Sequence, residues 1–158
     1  MVFDHDYKKF PELTNKQLQE FGFSSPFPQI EEDFEAFVVK VHDGDTITLR
    51  VGFRDFDFPL RFLGIDAPEL NEGGDLARDW LKNRILNSVV QIKIDKFNRV
   101  GKYGRLLGEV ISGGLSVGEE MMHLGLVSEF GKKDEGAIPD INKDLRIKWQ
   151  DYSETGQF

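Results

Sequence analysis

The amino-acid sequence contains no cysteine among its 158 residues. This absence excludes disulfide bonds, thiolate zinc sites and cysteine nucleophiles. Histidine is also scarce, and the three copies, His5, His42 and His123, stand far apart, which excludes a histidine-rich metal site. No stretch approaches the roughly 18 apolar residues of a membrane-spanning helix, and the first ten residues lack the apolar segment of a secretory signal. We therefore expect a cytoplasmic protein that acts without a membrane.

Length and composition are those of one globular domain. Hydrophobic residues make up 39% of the chain and charged residues 30%. A chain of this length buries roughly two thirds of its unfolded surface, so a substantial core is available. The composition argues against a wholly disordered chain, and the length leaves little room for a second domain.

Positive charge is in the minority, which at first argues against a nucleic-acid partner. Lysine and arginine number 20 against 28 aspartates and glutamates, and the net charge is −8. The distribution is uneven, however. Residues 1–36 hold three basic and eight acidic residues, whereas residues 82–105 hold seven basic residues and one acid. The acidic average therefore conceals a cationic segment.

The first 35 residues have the pattern of an N-terminal extension. Thr14 and Gln17 form a capping box, which predicts a short helix near residues 15–21, and a proline-containing linker follows. Eleven of the fourteen phenylalanines lie at or before Phe62, so aromatic burial is expected to dock this extension on the body. We place the domain itself at residues 36–158.

From residue 37 the pattern changes to short strands. The turn Asp43–Gly44 between two β-rich runs is a strong hairpin signal, because both residues tolerate positive φ. Predicted strands cover residues 37–41, 46–51, 58–65, 90–94 and 106–111. Predicted helices cover residues 75–87, a segment from the Ser116–Glu119 capping box to Gly125, and a segment that begins at Pro139. The fold class is α+β, mainly β, and this order favours a five-stranded OB-type barrel with about three packed helices.

Three acidic residues converge in this predicted fold. Asp45 opens the second strand and Asp66 closes the third, so an antiparallel hairpin brings both carboxylates to one end of the sheet, with Glu69 just beyond. A register that sets Asp45 opposite Asp66 also sets Arg50 opposite Arg61, which is unfavourable. We therefore expect a bulge in the third strand and a shared end for the acids.

Clustered carboxylates either raise one pKa or share a cation. With neither sulfur nor a histidine pair nearby, that cation would be calcium or magnesium held by oxygen atoms. The alternative is that Asp43–Gly44 is only a turn and that Asp66 caps another, because aspartate is a common turn residue. The residue pattern alone leaves both interpretations open.

Arg61 is the least ordinary residue of the third strand, since its neighbours are apolar on both faces. A buried guanidinium needs an anion. That anion is either an internal carboxylate or the phosphate of a substrate, which a guanidinium binds through two hydrogen bonds. The segment Lys102–Arg105 offers a second guanidinium, an amine and an aromatic ring, although by itself it is typical of a turn with solvated charges.

Three segments resemble the thermonuclease (staphylococcal nuclease) family in order and character: Val41–Thr46, Leu60–Glu69 and Lys102–Arg105. The similarity spans roughly residues 36–130. The resemblance implies an OB barrel with packed helices, in agreement with the strand count. It also implies a calcium-dependent phosphodiesterase that acts on DNA and RNA and leaves 3′-phosphate and 5′-hydroxyl ends.

The resemblance further implies a metal centre. Asp45, Asp66 and the backbone carbonyl of Ala67 would bind one calcium ion. Asp43 and Thr46 would support these ligands through water or hydrogen bonds.

The resemblance implies a role in catalysis or binding for five more residues. Glu69 would be the general base that deprotonates the attacking water. Arg61 and Arg105 would bind the phosphate and stabilise the charge that develops on its oxygens. Lys102 and Tyr103 would contact the far phosphate and the sugar of the nucleotide.

Three features depart from the family pattern. The chain between Glu69 and Lys102 is shorter than in secreted members, and the domain is acidic where the best-known of these are basic. The aromatic residue that stacks on the base has no clear counterpart, and Phe130 is the nearest. A non-catalytic nucleic-acid-binding OB module is the alternative function. We expect a monomer, and a viral or mobile-element origin would explain a nuclease inside a cell.

Overall fold

In the computed structural model, the residues described are 11–19, 26–101 and 104–130. The strands within them are β1 (Phe34–Asp43), β2 (Thr46–Arg50), β3 (Phe58–Phe62), β4 (Ile65–Asp66), β5 (Val89–Lys93), β6 (Leu106–Ser112), β7 (Leu115–Ser116) and β8 (Ser128–Glu129). The helices are α1 (Asn15–Gln19), α2 (Gly74–Ile85) and α3 (Val117–His123), and a 3-10 turn covers Leu70–Glu72. The helix predicted from Pro139, and the predicted site residues Lys102 and Tyr103, lie outside the described residues.

Five strands form a closed barrel. Antiparallel neighbours follow the order β3, β2, β1, β5 and β6, and the ring closes where β3 pairs in parallel with β6. In this seam Leu60 lies opposite Leu106, and Arg61 lies opposite Leu107. This mainly β architecture, with helices packed outside the barrel, confirms the OB-type fold predicted from the order of the strands.

The barrel interior is filled by the inward-facing residues of each strand. In β5, for example, Val90 and Ile92 are buried while Val89, Gln91 and Lys93 are exposed, because successive side chains of a strand point to opposite faces. The other strands supply the remaining interior residues: Val38, Val41, Ile47, Leu49, Leu60, Phe62, Leu106 and Val110.

Helix α2 packs against β1, and its residues Ala77, Leu81 and Ile85 are buried in the same hydrophobic core as the barrel residues. Helix α3 begins directly after Ser116, whose Oγ accepts a hydrogen bond from the backbone N–H of Glu119 at 3.3 Å. The predicted N-terminal cap of α3 is therefore confirmed. Among the described residues, no helix has the length and apolar character needed to cross a membrane.

The N-terminal segment lies against the barrel. The capping box of α1 is present, since the backbone N–H of Gln17 donates to Thr14 Oγ1 (3.1 Å) and the backbone N–H of Thr14 donates to Gln17 Oε1 (2.8 Å). Leu13 is fully buried, and the rings of Phe27 and Phe56 lie 4.6 Å apart between centroids.

The unfavourable register, with Arg50 opposite Arg61, is not the one that the structure shows. Thr46, not Arg50, lies opposite Arg61, and Arg50 instead forms an ion pair with Asp57 at 2.9 Å. The third strand also ends earlier than predicted, because Gly64 (φ +83°) forms a turn that starts the separate strand β4. Strand β4 pairs with β8, which the sequence pattern did not predict. The acidic residues nevertheless share one end of the barrel, as the contacts of Arg61 show below.

Candidate active site

The turn between β1 and β2 carries the first two acidic residues of the site. The backbone N–H of Asp45 donates to Asp43 Oδ1 at 3.0 Å, so the side chain of Asp43 closes the turn. Between them, Gly44 is pressed against helix α2. A Cβ atom at this position would lie 2.7 Å from the Cβ of Ala77 and 3.0 Å from the Cβ of Ala67. Only glycine allows the turn to lie this close to the helix.

Arg61 joins the acidic residues of two segments. Its Nη2 donates to Asp45 Oδ2 at 3.3 Å and also to Asp66 Oδ1. Its Nη1 donates to the backbone carbonyls of Phe62 (3.0 Å) and Ile65 (2.9 Å), and 13% of its side chain is exposed. Of the two anions considered for Arg61, the internal carboxylate is thus present, while the small exposed fraction still faces the cavity described below.

The carboxylate of Asp45 accepts hydrogen bonds from three parts of the protein, of which Arg61 is one. Its Oδ1 accepts from Thr46 Oγ1 at 3.0 Å, and its Oδ2 accepts from the backbone N–H of Ala67 at 2.8 Å as well as from Arg61. Asp45 is buried. Its carboxylate therefore links β2, β3 and the segment that follows β4 at one end of the barrel.

A cavity of about 520 Å³ opens at this end of the barrel. Arg105, which immediately precedes β6, reaches the same place, and its Nη1 lies 3.4 Å from Thr46 Oγ1. The parallel pairing of β3 and β6 explains why the two arginines meet, since it sets the start of β6 beside Arg61. The residues that line the cavity are Asp43, Asp45, Thr46, Arg61, Ala67, Pro68, Glu69, Leu70, Asn71 and Arg105.

The environment of Asp43 in this cavity shifts its pKa. Burial, followed by a hydrogen bond to the side chain of Asp45 and by the charge of that carboxylate, raises the pKa of Asp43 to about 6. Desolvation and a like charge both disfavour the ionised form of a carboxyl group. A strongly perturbed carboxyl group in a cleft is a common feature of functional sites.

A second cavity, of about 480 Å³, lies on the other side of the two arginines. Its lining is mostly apolar and includes Leu107 and Phe130 beside Arg61 and Arg105. The guanidinium carbon of Arg61 lies 5.4 Å from the centroid of the Phe130 ring, a cation–π contact. The strand pair β4–β8 positions this ring, because the backbone N–H of Phe130 donates to the carbonyl of Gly64 at 2.8 Å.

The sequence agrees with a known family over much of the part of the chain that builds these cavities. The family model described as staphylococcal nuclease homologue matches residues 59–144, slightly more than half of the chain. The chain belongs to this family. The match includes Arg61, Asp66, Glu69 and Arg105, whereas the turn that carries Asp45 precedes it.

A curated relative extends this finding. The SPbeta prophage-derived endonuclease YokF of Bacillus subtilis (strain 168) is 35% identical to the chain over 91 residues. The aligned region covers 53% of this chain and 30% of that relative, so the chain corresponds to less than a third of the length of YokF.

The nuclease-family chain brings together most of the residues that its sequence predicted for the site. Asp43, Asp45, Thr46, Ala67 and Glu69 line the 520 Å³ cavity. The two predicted phosphate-binding arginines lie on both cavities, and Asp66 is held against Arg61. The pairing of β4 with β8, and with it the position of Phe130 over Arg61, was missed. The sequence indicated this position only through Phe130 itself, an aromatic residue next to Gly131.

Members of the staphylococcal nuclease family are generally metal-dependent, and the chemistry of this site suits a hard cation. Every candidate ligand is an oxygen atom, and burial, together with the neighbouring carboxylate of Asp45, raises the pKa of Asp43. The arrangement is different from a formed metal site. Within the parts of the chain that the structure describes, no group of three acidic or histidine side chains is placed to hold a metal ion. The guanidinium of Arg61 instead bridges Asp45 and Asp66.

Proposed function

We propose that the chain hydrolyses phosphodiester bonds of DNA or RNA and leaves 3′-phosphate and 5′-hydroxyl ends. One observation carries the proposal: Arg61, Arg105 and Glu69 face a single cavity of about 520 Å³. Membership of a nuclease family and the endonuclease named among its relatives support this assignment.

In the proposed reaction the two arginines bind the scissile phosphate. Guanidinium groups form paired hydrogen bonds with phosphate oxygens, and they stabilise the negative charge that develops on these oxygens as water attacks. Arg61 and Arg105 are suited to this role because they approach the cavity from neighbouring strands of the seam. Two backbone carbonyls already orient the guanidinium of Arg61 at the edge of the cavity.

Glu69 is the proposed general base. Its backbone is fixed, since its carbonyl accepts hydrogen bonds from the N–H groups of Glu72 (2.8 Å) and Gly74 (2.9 Å) at the start of α2. A base must lie within hydrogen-bond reach of the water that it deprotonates. The position of Glu69 on the wall of the cavity that Arg61 and Arg105 also line supports this role.

Asp45, Asp66 and the backbone carbonyl of Ala67 would hold a calcium ion, and Asp43 and Thr46 would support them. When bound, calcium would supply positive charge next to the phosphate and orient the attacking water. The chain's own residues impose a condition on this binding. Because Arg61 bridges the same two aspartates, the guanidinium and the cation would compete for their oxygens.

The remaining contacts concern the nucleotide. Lys102 and Tyr103 would bind the far phosphate and the sugar, and Phe130 would stack on a base in the 480 Å³ cavity. We further propose that the protein acts as a monomer in the cytoplasm. The prophage-derived relative is compatible with a mobile-element origin.

The test compares two glutamates three residues apart. Cleavage of end-labelled single-stranded DNA, duplex DNA and RNA is measured over a calcium titration and with a chelator. Glu69→Gln should lower kcat by about 100-fold or more, the usual contribution of general acid–base catalysis. Glu72→Gln, which changes an exposed side chain in the adjacent turn, should stay within about twofold of the unmodified protein.

One observation favours a second candidate function. Since Arg61 already satisfies Asp45 and Asp66, the site as it stands would bind a phosphate without a metal ion. Tight binding of oligonucleotides with no cleavage at millimolar calcium would establish the non-catalytic binding module instead. Cleavage that is unchanged in Glu69→Gln would remove the proposed base while leaving the nuclease assignment in place.

A further inference from the structure

The N-terminal segment buries a carboxylate that the proposed reaction does not use. Glu12 is fully buried and lies between two arginines from distant parts of the chain. Its Oε2 accepts a hydrogen bond from Arg54 Nη2. Its Oε1 accepts from Arg99 Nη1 at 3.3 Å and from the backbone N–H of Ile30 at 2.9 Å.

The guanidinium of Arg99 donates hydrogen bonds to the same N-terminal region. Besides Glu12, its guanidinium donates to the carbonyls of Ile30 (2.6 Å) and Leu13 (2.8 Å) and to Asn15 Oδ1 (3.1 Å). Arg99 is only 3% exposed. A guanidinium this deeply buried needs a negative partner, and Glu12 is the carboxylate that it contacts.

The backbone of Arg99 belongs to the loop that leads to Arg105. The carbonyl of Arg99 accepts from the N–H of Leu107 at 2.8 Å, and the carbonyl of Arg105 accepts from the N–H of Gly101 at 2.8 Å. These two bonds join residues 99–101 to residues 105–107. The orientation of Arg105 toward the cavity therefore depends on where Arg99 is anchored.

The same loop is held at a second point. Asn15 Nδ2 donates to the carbonyl of Lys96 at 2.9 Å, so one residue of α1 contacts both Lys96 and Arg99. Between these anchors the side chain of Phe97 is 94% exposed and adds no packing to the loop. Contacts with the N-terminal segment thus replace the core packing that the loop lacks.

We propose that Glu12 is a positioning residue of the active site: through Arg99 it holds residues 95–101, whose backbone bonds to Arg105 and Leu107, so that Arg105 faces the phosphate. The N-terminal segment is then a working part of the site. This inference rests on the proposed function for the role of Arg105, but the anchoring of the loop can be measured without any substrate.

The first measurement is amide hydrogen exchange of the full chain. In Glu12→Gln, the amides of Gly101 and Leu107 should exchange at least tenfold faster, while the amide of Leu126, which bonds to Met121 near α3, should not change. Glu120→Gln is the matched control, because it weakens the ion pair between Glu120 of α3 and Arg84 of α2. It should leave Gly101 and Leu107 unchanged.

A milder variant covers the case in which Glu12→Gln does not fold. Asn15→Ala removes one contact to Arg99 and one to Lys96, and it should produce the same pattern with smaller amplitude. Equal changes at Gly101, Leu107 and Leu126 in both variants would show that the segment contributes only general stability, and the proposal would be wrong.

The second measurement is a double-mutant cycle on cleavage. Glu12→Gln should lower kcat about tenfold in the unmodified protein and change it less than twofold in an Arg105→Ala background. A loss of folded molecules would lower the rate equally in both backgrounds, which would contradict a positioning role. If the unmodified chain cleaves no nucleic acid, the proposed function fails, and the exchange experiment still decides whether Glu12 holds the loop.

Discussion

Replacing Asp43 by asparagine should stabilise the protein. The folded state raises the pKa of this carboxyl group from 3.8 to about 6, so ionisation at neutral pH opposes folding. Asparagine has nearly the same shape, and its Oδ1 can still accept the hydrogen bond from the backbone N–H of Asp45. The substitution removes the charge and keeps the turn.

The magnitude follows from the shift in pKa. A shift of about two pH units corresponds to about 3 kcal/mol if it is fully expressed. Asp43 is only partly buried, and solvent screens part of its interaction with Asp45. We therefore expect the free energy of unfolding at pH 8 to rise by about 1–2 kcal/mol in Asp43→Asn.

The gain in stability in Asp43→Asn depends on pH, and its direction follows from the raised pKa. Because the folded state binds the proton of Asp43 more tightly than the unfolded state, the cost of this charge appears as the pH rises from about 4 to 6 and is complete above that range. The gain in Asp43→Asn should be largest at pH 8, fall to about a third at pH 4.5 and vanish at lower pH.

Urea denaturation in a chelator-containing buffer, followed by circular dichroism at pH 4.5 and pH 8, measures this gain. Asp55→Asn, an exposed carboxylate in the loop before β3, is the control and should change stability by less than about 0.5 kcal/mol at either pH. A gain for Asp43→Asn that is the same at both pH values, or absent at pH 8, would refute the assignment of a raised pKa.

Two further predictions concern the turn and the apolar cavity. Gly44→Ala should destabilise the protein by about 1–3 kcal/mol in the same urea assay, because its Cβ would lie 2.7 Å from a side chain of α2, whereas Gly52→Ala, with nothing within 4 Å, should have little effect. Phe130→Ala should raise KM for single-stranded oligonucleotides about tenfold, the usual contribution of one stacked base, and an unchanged KM would exclude stacking on this ring. Phe53→Ala, at an exposed ring of the loop before β3, is its control.

Local signals of the sequence predicted local structure well. The capping boxes at Thr14 and Ser116 are present, and the buried residues of β5 follow the alternation that the sequence shows. These features depend on neighbours within a few residues, so a pattern of residue types is sufficient to find them. The number and order of the barrel strands followed from the same signals.

Features that depend on a turn geometry or on distant partners could not be predicted in this way. The turn at Gly64 separates Asp66 from β3, and nothing local distinguishes it from a bulge. The acidic residues were correctly gathered at one end, yet the sequence left the partner of Arg61 open, because its bonds to Asp45 and Asp66 form only in the folded barrel. Glu12 gave no signal at all, since its arginine partners lie 42 and 87 residues away.

The parallel contact of β3 with β6 has a consequence for how the protein acquires activity. The stretches that carry Arg61 and Arg105 are joined by that contact, and it is also the step that turns an open sheet into a ring. Pairings between residues so far apart along the chain carry a large loop-closure cost and tend to form slowly. In a molecule whose barrel is still open, the guanidinium groups of Arg61 and Arg105 would be far apart, and the cavity that they line would not form. Closure of the barrel and formation of the phosphate site would then occur together, so that a partly folded molecule could not carry out the proposed cleavage.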